Sequence, residues 1–589
     1  MTGVARGGRG GADKIRTWFT NVEALVKIMR SIGLLLALAS GTRSLAEEAP
    51  MFEDWTERAG LKGEEGPYGV VFADLNNDGW PDAIVNGGKI FLNEKGQKFV
   101  RVKDDKAFAP DDKAVPPVPA HGLVVADANG DGNLDLFVTF NLDPDADGFD
   151  KEGRRNELWL GDGKGGFALK ANTGISTEPM TTCAGMFLDY DGDDKLDLFI
   201  GNWWKHPWKS PEVLVSPLYR GLGDGKFEDV TKAAGLEGNS EPEKRDSRRP
   251  IFCATHTDWN NDGRQDLLVG TYAGRWNLLW RNNGDGTFTD VAKETGFDCD
   301  TRGRWFAYGG PDNEYCNVFL FSCPSADFDC DGDMDCFQAT IRHWDWRATD
   351  PSMMLLNTGK AGGYKFLREP ERIPRPAPRV NVQATEENWG DLHAGWMDVD
   401  NDGWQDLVVA SSDYPDPQLF KLYHQKPDGS GQFEDWTERL GFRWVQATGI
   451  SFADVDRDGA TDVLISRWHM RFDEALQKQY PAVIGLYRNL AAAQAGNGFF
   501  NLRLDGQAIG ARVTIQTGGH RQIREVQGSL GIGGHRDDSD CRFGVGKAKV
   551  IDRVEVRWSD KANTVQLFEK VTPGKFMKLK KGGKLEEVK

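Results

Sequence analysis

The 589-residue chain has no apolar run long enough to cross a bilayer; its N-terminal run, Ile32 to Ala39, falls well short of the ~20 residues that a spanning helix needs. Nor does it carry an excess of positive charge. With 72 Lys and Arg against 90 Asp and Glu, the formal charge is −18, which argues against nucleic acid or an anionic membrane surface as a partner. A nucleophile elbow, an HExxH pair, a phosphate loop and a CxxCH haem motif are all missing, so no linear catalytic signature is present.

What the chain has instead is aspartate at alternate positions. Residues 327–337, DFDCDGDMDCF, place Asp327, Asp329, Asp331, Asp333 and Asp335 around Gly332. Carboxylates in this spacing converge when the backbone coils tightly, and a set of hard oxygens suits Ca²⁺ or Mg²⁺. Two parts of an EF-hand are absent: position 12 is Gln338 rather than Glu, and Asp335 is followed by a short apolar run that reads as a strand rather than a helix. The stretch is therefore a β-hairpin loop closed by an aspartate. Six further copies begin at Asp74, Asp127, Asp189, Asp258, Asp398 and Asp454, with first aspartates 53 to 71 residues apart and each copy between two apolar runs. The expected calcium ligands are Asp74, Asn76, Asp78 and Asp82; Asp127, Asn129, Asp131 and Asp135; Asp189, Asp191, Asp193 and Asp197; Asp258, Asn260, Asp262 and Asp266; Asp327, Asp329, Asp331 and Asp335; Asp398, Asp400, Asp402 and Asp406; and Asp454, Asp456, Asp458 and Asp462. Up to seven structural Ca²⁺ ions follow. Asp194 stands where the other copies have Gly, and DPDADGFD from Asp143 lacks flanking strands and reads as a solvated loop.

Between the loops runs a second pattern: an aromatic or Leu-rich strand, a Gly/Asp turn and then F-x-D, as in GDGKFED and GDGTFTD. One unit is thus four strands and their turns, and such a period predicts an antiparallel propeller blade. FEDWTERAG at 52 nearly duplicates FEDWTERLG at 433 but precedes the first loop, while the seventh unit has no F-x-D strand of its own. Phe52 to Thr56 is expected to supply that missing outer strand and close the ring.

These loops, turns and strand orders resemble the FG-GAP/VCBS calcium propeller repeats, also found in integrin α-chains. From about Asn501, NLRLDGQAIGARVTIQTGGHRQIREVQGS and RFGVGKAKVIDRVEVRW resemble an ASPIC/UnbV domain. The pairing is similar to the cartilage acidic protein family and its bacterial relatives, and it implies an all-β, seven-bladed propeller with calcium loops followed by a small C-terminal β domain. The expected division is 1–46 as extension and signal peptide, 47–500 as propeller and 501–589 as the β domain.

MRSIGLLLALASGTRSLAEEAP from Met29 has a basic start, an apolar run and a Ser44-x-Ala46 cleavage pattern, so secretion to the cell exterior, the cell surface or a periplasm is expected. In an exported chain the eight cysteines read as disulfides, with Cys299, Cys316, Cys330 and Cys336 close enough for local bridges. Cys183, Cys253, Cys323 and His393 each lie 70 residues apart before a calcium loop and, together with His121, raise a second reading, a soft-metal site in the central channel. Past the second strand of each unit the chain offers Trp203, Trp204, His206 and Trp208, then Arg275 and Trp276, then His343, Trp344 and Trp346, then Trp468 and His469. Aromatic rings mixed with Arg and His suit stacking on sugars or peptides, and also suit blade-to-blade packing. Two functions remain open. One is a calcium-stabilised recognition or adhesion module for a glycan or an extracellular protein; the other is a carbohydrate-active enzyme of lyase or dehydratase type, with its site on the face opposite the calcium loops.

Overall fold

The seven acidic loops each sit at the tip of a hairpin whose two strands are buried almost throughout. In the fourth unit these are Ile251–Thr257 and Asp266–Thr271, with every residue buried. The next two strands, Leu278–Asn282 and Phe288–Asp290, alternate toward solvent. The order along the sheet is the order in the chain, and every pairing is antiparallel. A computed structural model describes residues 49–64, 69–85, 88–102, 122–139, 155–178, 180–205, 213–237, 249–272, 276–298, 319–341, 352–374, 390–411, 419–467, 474–529 and 540–588. Among these, seven such sheets follow one another, six built from consecutive strands; in the fifth, the first strand is split into Leu320–Ser322 and Ser325–Ala326.

The exception in strand order is the seventh sheet. Gly449–Ala453, Asp462–Arg467 and Val483–Asn489 receive Phe52–Asp54 as their fourth strand, in the register Phe52 to Asn489 and Asp54 to Tyr487. The expected segment was Phe52 to Thr56; the ladder is two residues shorter, although the Trp55 N–H still donates to the Leu486 carbonyl at 2.9 Å.

Continuous burial of the first two strands has a simple cause: both faces of each sheet are covered by the neighbouring sheets. Val71 and Ile84 of the first sheet pack with Leu123 and Leu136 of the second, and Phe137 of the second meets Phe187 of the third at 6.3 Å. Phe199 then meets Trp280, Leu279 meets Leu355, Met354 meets Tyr423, and Val408 meets Val463. Finally Leu464 and Leu486 of the seventh sheet pack with Phe72 and Phe91 of the first.

Polar clips reinforce these apolar seams. The third strands of five sheets end in Asn93, Asn282, Asn357, Gln425 and Asn489, whose side-chain amides donate to a carbonyl in the preceding sheet's loop: Val455, Tyr190, Trp259, Phe328 and Val399, at 2.7 to 3.0 Å. Asn282 is fully buried, and its side-chain oxygen also accepts from the Gly284 N–H at 2.9 Å. Replacing it with Ala leaves buried backbone groups without partners, so Asn282→Ala is expected to cost about 1–3 kcal/mol in a urea unfolding series. A loss under ~0.5 kcal/mol would show that the clip is dispensable.

The C-terminal segment folds into two further four-stranded sheets. In one, Gly498–Asp505 pairs antiparallel with Asp540–Gly546 and parallel with Lys575–Lys580; in the other, Arg512–Thr517 lies between His520–Glu525 and Ile551–Arg557. Pro50 to Lys589 form one compact unit.

Candidate metal centres

Two left-handed residues give each loop its curl. Position 4 has positive φ in all seven copies (Asn77, Gly130, Gly192, Asn261, Cys330, Asn401 and Arg457), and so does position 6, which is Gly everywhere but Asp194 at φ 63°. Gly and Asn enter this region at low cost, and the two turns fold the side chains of positions 1, 3 and 5 toward one another.

The first aspartate then collects backbone donors. Asp398 accepts from the Asp402 and Gly403 N–H groups at 3.0 and 2.8 Å, and Asp258 and Asp454 repeat the arrangement. The ninth aspartate has a different task. One oxygen of Asp82, Asp135, Asp197, Asp266, Asp335, Asp406 and Asp462 accepts from the third strand, at Asn93, Gly161, Gly221, Asn282, Asn357, Gln425 and Asn489, within 2.7 to 2.9 Å. It ties the loop to the sheet. Among the described residues, carboxylates within ligand reach of one another are Asp189, Asp191 and Asp197; Asp327, Asp329 and Asp331; Asp398, Asp400 and Asp406; and Asp454, Asp456 and Asp462. In three other loops position 3 is Asn, and Asn76, Asn129 and Asn260 donate to Asp78, Asp131 and Asp262 at 3.1, 3.0 and 2.9 Å.

Do these groups fit a hard cation? Asp74 Oδ1, Asp266 Oδ2, Asp327 Oδ2, Asp329 Oδ1 and Asp335 Oδ2 are buried oxygens with no hydrogen-bond donor. An unmatched carboxylate oxygen is costly inside a protein, and a divalent ion would satisfy it. Burial, reinforced by neighbouring carboxylates, pushes Asp82 up to about 8, Asp135, Asp189, Asp327 and Asp402 up to about 7, and Asp329 up to about 6. A raised folded-state value means that the metal-free fold binds protons more tightly than the unfolded chain does. The resulting stability is complete below the unfolded carboxylate range near pH 4 and is lost as pH rises through about 6 to 8. Metal-free protein is therefore expected to melt at a higher temperature at pH 5 than at pH 8. A calorimetric scan giving the reverse order would contradict this electrostatic picture.

The C-terminal sheets lie against this face and bring cations to it. Arg503 Nη1 meets Asp74 Oδ2 at 2.6 Å and Nη2 donates to the Gly79 carbonyl at 3.1 Å; Arg557 bonds Asp258, and Lys581 pairs with Asp194. His520 Nε2 sits 3.0 Å from the Gly403 carbonyl, and Asn501 donates to Asp454 at 3.4 Å. A cavity of about 120 Å³ remains along the seam, with Asp398, Arg524, Glu525, Asp540 and Arg542 among its lining residues. Sequence reasoning missed this docking; its signal was the recurrence of Arg in the strands around 503, 512, 524 and 557.

Two sequence expectations are corrected. Cys183, Cys253, Cys323 and His393 do not gather into a ligand set among the described residues. Cys253, Cys323 and Cys336 pack in the apolar seam between the fourth and fifth sheets, while Cys183 joins a separate aromatic cluster. The first strands of the third, fourth and sixth sheets carry the same register shift, with Cys183 at the skipped position and Cys253 and His393 one residue beyond it, so these side chains do not occupy equivalent positions. Likewise Cys330 and Cys336 are unbridged: Cys330 occupies the left-handed fourth position of its loop, 3.8 Å from His520, and Cys336 is buried in the strand. Cys299, Cys316, His121 and the Asp143 stretch lie outside the described residues.

The tryptophans also divide. Trp203 and Trp276 are each 7% exposed. Trp203 stacks on Trp204 at 5.1 Å and packs edge-on to Phe252 and Tyr272, and Trp276 is covered by Arg249 at 4.1 Å. Both are packing residues, because large rings fill the wedge between sheets. Trp204 is partly exposed. His206, Trp208, Arg275, His343, Trp344, Trp346, Trp468 and His469 lie outside the described residues, as does the N-terminal segment up to Ala46. No helix among the described residues is long and apolar enough to cross a membrane.

Comparison with known proteins agrees with the family resemblance. Residues 503–586 match the ASPIC and UnbV family, and residues 398–465 match the FG-GAP-like repeat. Cartilage acidic protein 1 of Xenopus tropicalis is 23% identical over 430 residues, which cover 68% of this chain and 57% of that protein. Among solved structures, the exotype rhamnogalacturonan lyase YesX is 16% identical, with 67% of this chain and 62% of that chain covered and a TM-score of 0.30. The rhamnogalacturonan lyase PL11 of Bacillus licheniformis is 14% identical, with 71% and 73% covered and a TM-score of 0.31. At such scores these two likenesses carry no argument about activity.

Proposed function

From a chain that joins an FG-GAP-like repeat to an ASPIC and UnbV domain, we propose a secreted, calcium-stabilised recognition module. Residues 47–500 form a seven-bladed propeller, and residues 501–589 cap its loop face. Up to seven Ca²⁺ ions occupy the acidic loops, supplying the charge that the clustered carboxylates lack and contributing no chemistry beyond holding the hairpin. The observation that supports this reading is the set of buried aspartate oxygens with no donor, at Asp74, Asp266, Asp327, Asp329 and Asp335. The cyclic order of sheet contacts and the Phe52–Asp54 strand in the last sheet support the closed ring. With the loop face occupied by the C-terminal sheets, the opposite rim is the surface left for a glycan or protein, and Trp204 is its described aromatic.

The test is direct. Calcium-loaded protein is applied to a glycan and matrix-protein array, and the bound glycans are then analysed for products. Binding without turnover supports the module. Unsaturated sugar products would replace it with a lyase, and no binding to either class would remove the recognition reading.

A further inference from the structure

One position on the third strand lies next to the anchor of each loop, and its identity changes from sheet to sheet. It is the residue before the one whose N–H holds the ninth aspartate: Leu92, Leu160, Arg220, Arg281, Leu356, His424 and Arg488. Arg488 shows where such a side chain points, since it pairs with both Asp456 and Asp458, the latter at 3.0 Å. Leu leaves a site to oxygen alone. Arg places a fixed positive charge beside it. Among the seven, the Asp398 loop alone has an imidazole there.

The imidazole is poised as a ligand. A ring nitrogen of His424 and carboxylate oxygens of Asp400 and Asp402 lie within 4.8 Å of one another, and Asp400 also belongs to the trio with Asp398 and Asp406. His424 is only 5% exposed. Its Nδ1 is 2.8 Å from Asp406 Oδ1, an oxygen that also accepts from the Gln425 N–H at 2.8 Å. The ring is held flat against Trp436, with centroids 3.5 Å apart and planes 19° apart, and Arg439 covers the other side of that indole at 3.8 Å. A buried imidazole, rigidly placed among four carboxylates, is a poor environment for Ca²⁺, which takes oxygen, and a good one for a first-row transition ion.

We propose that the Asp398 loop is a mixed carboxylate–imidazole site that selects a divalent transition ion over Ca²⁺, with His424, Asp400 and Asp402 as the discriminating ligands. The proposal rests on reading the loops as cation sites. Full-length protein is stripped with a chelator, dialysed into millimolar Ca²⁺ and titrated with Zn²⁺, with bound metals counted by mass spectrometry; Cu²⁺ serves as a spin probe. Wild type is expected to retain one Zn²⁺ against Ca²⁺ and to show nitrogen coupling in the Cu²⁺ resonance. His424→Leu, which installs the residue found at Leu92, Leu160 and Leu356, should weaken Zn²⁺ at least about tenfold and remove the coupling, without lowering the Ca²⁺ count at the other loops. Asp402→Asn, a second variant that keeps the strand intact, should weaken Zn²⁺ as well. Equal Zn²⁺ affinity in wild type and His424→Leu overturns the proposal, as does the absence of nitrogen coupling. If Ca²⁺ binds nowhere while one His424-dependent Zn²⁺ binds, the calcium reading fails and this one stands; if Ca²⁺ fills the loops and Zn²⁺ is not preferred, only this one fails.

Discussion

If the loops hold calcium as proposed, chelation is expected to lower the melting temperature by about 10 °C or more, because several sites are linked to folding at once. A single site held at a hundred times its dissociation constant contributes about 2.7 kcal/mol, and extracellular calcium modules work with constants of roughly 10⁻⁴ to 10⁻³ M. The loops do not share the effect equally. Arg503 already sits on Asp74 and Arg557 on Asp258, so guanidinium charge supplies part of what the ion would supply there. The Asp327 loop has five aspartates and three oxygens, Asp327 Oδ2, Asp329 Oδ1 and Asp335 Oδ2, that no donor reaches. Asp327→Asn should therefore remove more of the calcium-dependent gain in melting temperature than Asp74→Asn. The measurement is differential scanning fluorimetry of each variant with calcium and with chelator. A melt indifferent to chelation, or equal losses in the two variants, would count against this division of labour.

The loops and the four-stranded sheets are legible in the sequence because their constraint is local. Aspartate at every second position between two apolar runs can be read without knowing the partners of either strand, and the twin FEDWTER segments reveal a strand that has lost its sheet. What escapes is everything whose meaning lies across an interface. Asn282 and Asn357 look like ordinary turn residues in RNN and LNT, yet their amides span to the preceding sheet. Trp203 and Trp276 have the composition of a recognition surface, and burial alone distinguishes packing from exposure. The cysteines misled for a related reason: a constant spacing of 70 residues suggests convergence, while a one-residue register shift sends the side chains elsewhere. His424 was invisible because the third strand carries no acidic motif to mark it as part of a loop.

Arg512→Met is expected to destabilise the protein by about 3–5 kcal/mol, the cost of leaving a buried charge without its partner. Arg512 comes from the C-terminal sheets and is buried where they meet the Asp258 loop: Nε donates to Glu525 at 2.8 Å, Nη2 to the Asp258 carbonyl at 2.8 Å, and Nη1 to Asn261. Glu525 is equally buried and also accepts from Thr257 at 2.6 Å. Burial works to raise the Glu525 carboxyl, but Arg512, the Thr257 hydroxyl and Arg557 outweigh it and hold the group below the usual carboxylate range. A depressed folded-state value contributes stability that is present above the unfolded value, near pH 4, and is lost as pH falls through the lower one. In the Met variant that balance inverts, since burial then dominates and the carboxyl prefers its proton. The gap between wild type and Arg512→Met should accordingly narrow as pH falls from 7 to 5. Adding Glu525→Gln removes the stranded charge while keeping a group that Thr257 can reach, so the double variant should recover most of the loss. Urea unfolding of the three proteins at both pH values gives the answer. A single-variant cost below ~1 kcal/mol would mean that this ion pair contributes no more than an exposed one and that the C-terminal sheets are held by their apolar contacts alone.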